Sequence, residues 1–164
     1  MLANLDRTTS EPPDFYQLNF GYRLTSNQTL AIELISWKYY GPLGLGVHES
    51  APAGDKFPGK VSARGVGLAY QNFFAGRFYG AFHALWMNQD YVGTANEELS
   101  TGHQLFLTGR LGYHWALGKS FFLEPSAAVT HWPVNTGLPA SFQEREDRQP
   151  KFAVEPGLHF GFVF

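Results

Sequence analysis

Eight residues able to do acid–base or ionic chemistry fall on one face of the chain's dominant pattern: Arg23, Glu33, His83, Arg110, His114, Glu124, Glu155 and His159. Carboxylates, imidazoles and guanidinium groups collected in a confined interior have two uses. Burial and neighbouring charge perturb acids and imidazoles, which suits proton-linked passage or a concealed site. Charges in a narrow, low-dielectric space must also pair for structural reasons, and Arg–Glu pairs then simply fill it. Counted from the nearer tight turn, Arg23, Glu33, His83, Arg110, Glu124 and His159 lie within about six residues of it, so one network at a single end is expected.

Other chemistries leave weaker traces. The chain has six histidines and no cysteine, so thiolate zinc sites and disulfides are excluded. His48, His103 and His131 lie near long loops, but no helical i,i+4 pair or other ligand spacing is present. No metal and no cofactor is implied. A Ser–His nucleophile on a strand needs His-x-Ser, because residues two apart share a face and must come within hydrogen-bond reach. The only match is His48-Glu49-Ser50, in a loop between Gly46 and Pro52 with no downstream acid clearly placed. No catalytic residue is assigned.

The elements that would position these residues follow a period of two. Residues 16–24 alternate strictly: Tyr16, Leu18, Phe20, Tyr22 and Leu24 against Gln17, Asn19, Gly21 and Arg23. That is a strand with one apolar and one polar face. Further strands are expected at residues 29–40, 61–74, 78–91, 103–117, 121–132 and 151–164. In the fourth, Phe78, Phe82 and Trp86 oppose His83, yet Leu85 and Met87 fall on the His83 side. Tight turns at 25–28, 75–77 and 117–120 alternate with long loops at 41–60, 92–102 and 133–150. The run Glu144-Arg145-Glu146-Asp147-Arg148 is mixed in sign and reads as a solvated loop. Pro125 and Pro156 interrupt strands and read as bulges or local breaks in the ladder. No segment of useful length prefers a helical period.

Composition decides which face points where. The chain has 164 residues, a net charge of −2, 16% aromatic and 16% charged residues, and 18 glycines. The near-neutral balance offers no field for nucleic acid. No run of 18 apolar residues exists, so no membrane helix is expected. The polar face carries Gly21, Gly65, Gly67, Ala69, Gly112, Ser126, Ala128, Gly157 and Gly161, too small and polar to build a soluble core. The other face carries Leu, Phe, Tyr and Trp in almost every strand. Large residues suit a lipid-facing belt and small ones a crowded lumen. The runs are about 10–14 residues long, where a lipid-spanning strand needs ~9–11.

The chain ends Leu158-His159-Phe160-Gly161-Phe162-Val163-Phe164. A terminal Phe164 with Phe162 and Phe160 at alternate positions resembles the assembly signal of Gram-negative outer-membrane β-barrels. The blocks Trp37-Lys38-Tyr39-Tyr40-Gly41-Pro42-Leu43-Gly44, Phe57-Pro58-Gly59-Lys60 and Trp132-Pro133-Val134-Asn135-Thr136 resemble those of an uncharacterised group of small outer-membrane barrel proteins. That group brings no activity. The resemblance implies outer-membrane lipid and, through the C-terminal strand, the barrel-assembly machinery as partners, and a monomer.

The expectation is therefore one domain over residues 1–164, an all-β, antiparallel, up-and-down transmembrane barrel in the outer membrane of a Gram-negative bacterium. Seven strands are counted, whereas single-chain bacterial barrels use an even number. Residues 2–7 are read as the last half of a truncated first strand, making eight natively, and the signal peptide is read as lying outside the chain. Eight strands leave an interior just wide enough for side chains. A structural or surface-binding role through the long loops is favoured. The alternatives are a lipid-modifying enzyme of the lipid A deacylase type and a soluble lipocalin-like carrier.

Overall fold

In the computed structural model, which describes residues 14–44 and 56–162, alternation has become a single antiparallel sheet. Its strands are β1 (Asp14–Arg23), β2 (Gln28–Tyr39), β3 (Lys60–Ala75), β4 (Phe78–Val92), β5 (Glu98–Tyr113), β6 (Trp115–Leu117), β7 (Phe121–Asn135) and β8 (Phe152–Phe162). One short helix, α1 (Ala140–Glu146), precedes β8. Each strand pairs with its neighbour in sequence, and β6 continues β5 beyond a break at His114. The tight turns between β3 and β4 and between β6 and β7 place Gly76 and Gly118 at φ 62° and 76°, a left-handed conformation that costs glycine nothing.

The sheet curls into an open half-barrel, not the closed barrel expected. Seven traverses alternate in direction, with β5 and β6 counted together, so β1 and β8 run the same way. An antiparallel ladder cannot join them directly. The expected half-strand at residues 2–7 and Phe164 lie outside the described residues.

Every second side chain points to the convex face. Tyr16, Leu18, Phe20, Tyr22, Ile32, Leu68, Phe82, Val154 and Phe160 are all exposed there, Phe160 at 76%. The concave face divides along the strands. Its half near the tight turns holds the charged residues. Its half near the long connections holds a core of Ile35, Tyr39, Phe57, Val61, Ala63, Leu85, Met87, Tyr91 and Phe142. This corrects the expectation of an interior too small and polar for a core. It also explains the two-sided fourth strand: Leu85 and Met87 are buried on the concave side, while Phe82 and Trp86 stand exposed on the convex side.

Three further differences concern connections. β5 begins at Glu98, five residues before the expected start, so only residues 93–97 link it to β4. Asn96 makes that turn possible with φ 63°. β7 runs on to Asn135, and the supposed loop contains α1, with Phe142 and Glu146 buried. Glu144 and Arg148 do stay on its solvated side. The prolines divide. Pro125 sits where pairing passes from β5 to β6, a true break, whereas Pro156 lies in β8 with an unbroken register to β7. Among the described residues β8 pairs on one side only, and such an edge strand tolerates proline.

Candidate functional site

The register stacks the concave face into layers. Glu33 of β2 lies beside Asn19 of β1 and Gly67 of β3. One layer nearer the tight turns are Ala31, Ala69, His83, Thr108 and Thr130. The next holds Gln71, Ala81, Arg110 and Ala128, and beyond it come Tyr79, Gly112, Ser126 and Gly157. Small residues alternate with long ones because the curl leaves no room for two long side chains side by side. The Tyr79 ring lies over Gly112, and the Phe122 ring over Gly161.

These layers line a chamber of about 320 Å³ that is open to one side, as the half-barrel is. Glu33, His83, Arg110, Glu124, His159 and Tyr79 supply most of its chemistry. Glu33 is only 2% exposed. Its carboxylate accepts from Gln17 Nε2 at 2.6 Å and from His83 Nδ1 at 3.1 Å. Glu124 accepts from His114 Nδ1 at 2.7 Å. The His114 ring leans on Phe122 at 5.0 Å and on Phe73 at 6.1 Å, while its backbone N–H donates to the Arg77 carbonyl. The break between β5 and β6 thus fixes an imidazole rather than wasting a residue. Arg110 Nη1 donates to the Ser126 hydroxyl at 2.8 Å.

The eight expected residues therefore form separate small groups. Glu33 joins His83, His114 joins Glu124, and Arg110 joins Ser126. His159 stands opposite Glu124 in the β7–β8 register and lines the chamber. Arg23 and Glu155 lie on the outermost strands, both exposed, and make no ion pair among the described residues. Gln17, Tyr79 and Ser126 were not singled out from the sequence. Alternation does place all three on the concave face, but neutral side chains carry no signal of their own.

Above Glu33 the chemistry changes. Gln89 Nε2 donates to the Tyr39 hydroxyl at 2.7 Å and to Gln104 Oε1 at 2.9 Å, and the Tyr91 hydroxyl donates to Gln89 Oε1 at 2.8 Å. Aromatic rings then close the end. Phe57 stacks on Phe142 at 4.7 Å, Trp37 meets Phe106 at 5.8 Å, and Phe106 stacks on Trp132 at 5.5 Å. The sequence blocks 37–44, 57–60 and 132–136 converge here. Glu146 of α1 enters this layer and accepts from Trp132 Nε1 at 3.0 Å and Asn135 Nδ2 at 3.2 Å. Burial raises its pKa above the usual glutamate range, and the two donated hydrogen bonds oppose that shift. Its buried place was missed because charge runs ordinarily read as solvated.

No three His, Asp or Glu side chains gather as metal ligands among the described residues. Residues 48–50, with the His-x-Ser pattern, lie outside them. A hollow bordered on one side by aromatic rings and lined by charged groups can hold a small polar solute. No family model, no curated protein and no solved structure matches the chain.

Proposed function

We propose that the chain is an integral outer-membrane β-barrel protein with a structural or surface-binding role through its longer connections, and without catalytic activity. One observation carries this reading. The convex face is an almost unbroken belt of exposed large apolar side chains, from Tyr16 and Leu18 on β1 to Leu158 and Phe160 on β8. In water such a surface would drive aggregation, since soluble monomers rarely expose patches above a few hundred Å². In lipid it is the favourable arrangement, with polar side chains turned inward. The strand lengths of 10 to 16 residues for the long strands support the same reading, because ~9–11 tilted residues span a bilayer.

The C-terminal strand supports engagement of barrel-assembly machinery, since Leu158 and Phe160 present alternate apolar side chains outward. The charged groups in the chamber, Glu33, Arg110 and Glu124, disfavour a lipocalin-like carrier, which calls for an apolar cavity. The test is refolding into detergent, read by heat-modifiable gel migration. A folded, compact band that shifts on boiling is expected. Folding in plain buffer with failure to enter detergent would overturn the membrane assignment.

A further inference from the structure

We propose that the chamber is a binding site for a small solute bearing an oxyanion, a carboxylate or a phosphate, with Arg110 as the recognising group. The charges in the chamber are unevenly satisfied. Glu33 already accepts from Gln17 and His83, and Glu124 from His114. Arg110 is half-buried, yet its only hydrogen bond among the described residues goes to the neutral Ser126 hydroxyl. It makes no ion pair among the described residues. A guanidinium has five N–H donors and no way to lose its charge. Glu124 lines the same hollow but is held by His114, so no carboxylate bonds the fork among the described residues, and an anion would supply that contact.

Geometry keeps that place open. Gly157 lies beside the guanidinium, and a Cβ there would come within 2.8 Å of Arg110 Nη1 and 2.6 Å of Ser126 Oγ. Glycine thus leaves the fork room, and Ser126 fixes one arm of it. Two carboxylates could compete: Glu155, which the register places in the Arg110 row two strands away, and Glu124, which lines the same hollow and accepts from His114. The guanidinium instead turns toward Ser126. A volume of about 320 Å³ has room for a compact solute. Planar oxyanions match the guanidinium fork by two parallel hydrogen bonds.

The experiment is calorimetric titration of the folded chain with inorganic phosphate, acetate and a short-chain phosphatidate. It is run in whichever solvent folds the chain, phosphate-free detergent or plain buffer, so failure of the membrane reading leaves this test intact. Saturable binding of phosphate or acetate is expected, weakened at least tenfold in Arg110→Gln and partly kept in Arg110→Lys. Ser126→Ala, which retains the cation but frees its held arm, should weaken binding severalfold, and it serves if Arg110→Gln fails to fold. Absence of phosphate and acetate binding at tens of millimolar overturns the site. So does binding unchanged in both Arg110→Gln and Ser126→Ala. Binding of phosphatidate alone would also overturn it, assigning the affinity to a lipid headgroup at the surface.

Discussion

His83 Nδ1 lies 3.1 Å from the Glu33 carboxylate across a separation of 50 residues in the chain, and the two side chains come from strands that do not pair with each other. They meet because β3, between them, offers only Gly67 and Ala69 at those levels. Glu33→Ala would remove the buried acceptor shared by Gln17 and His83 and leave a gap in its place. A loss of about 2–3 kcal/mol is expected from denaturant unfolding. Glu33→Gln should cost less, since the amide oxygen still accepts. A double-mutant cycle between Glu33 and His83 should return clear coupling; additive losses would show that the contact is not made.

Phe142 anchors α1 between Phe57 and Tyr91, with ring separations of 4.7 Å and 5.6 Å. Phe142→Ala removes a fully buried ring, a change that ordinarily costs about 3–5 kcal/mol. Here the loss should appear as undocking of the helix. Trypsin should cut after Arg145 and Arg148 much faster in the variant, while the sheet keeps its circular-dichroism signal. Unchanged cleavage would contradict the docked helix.

Glu146 gives a pH dependence of defined sign. Its folded-state pKa is raised from 4.5 by burial. The protonated form is therefore the one the fold prefers. The stabilising contribution is complete below about pH 4.5, the unfolded value, and is lost as pH rises through the raised folded value. Trp132 donates directly to this carboxyl group, so its fluorescence should report the change. Docking of α1 should weaken with rising pH in the native chain and stay flat in Glu146→Gln. Identical titrations would mean that another group is responsible.

Glycines on the two faces should respond oppositely. A Cβ at Gly112 would run into the buried Tyr79 ring, whereas one at Gly109 would meet nothing within 4 Å. Gly112→Ala should cost about 1–3 kcal/mol through overpacking, and Tyr79→Leu in the same chain should recover part of it. Gly109→Ala should be neutral or slightly favourable. Equal effects at the two positions would mean that the faces have been misassigned.

Leu68 lies mid-strand in the exposed apolar belt. On the proposed membrane reading, Leu68→Arg should cost about 2–4 kcal/mol in a bilayer. In plain buffer the same change would only improve solubility. Which of the two occurs, measured by refolding yield in lipid vesicles and in buffer, separates the readings directly.

The strands and the inward side of Glu33, His83, Arg110, His114 and Glu124 were legible in the sequence because a period of two survives any amount of sheet curl. Which of them touch was not. Contact depends on what the intervening strands omit, as Gly67 and Ala69 do for Glu33 and His83. The helix escaped notice for a different reason. Leu138, Phe142 and Glu146 recur every four residues, but seven helical residues give too little pattern, and a glutamate marks the face that is buried. The apolar half of the interior was hidden likewise, since Leu85 and Met87 on one face and Phe82 and Trp86 on the other look alike in hydrophobicity.

Pairing only between neighbours in sequence sets an order of assembly. The β1–β2, β3–β4, β4–β5 and β6–β7 connections are short, and the longer ones over residues 40–59 and 136–151 add only slowly to the closure entropy, so the sheet can grow outward from β4 and β5 by adding one strand at a time. The two ends of that growth, β1 and β8, each keep one side unladdered among the described residues. Their amide protons should exchange with solvent first and those of β4 last, giving a clock written across the sheet from its rims to its middle.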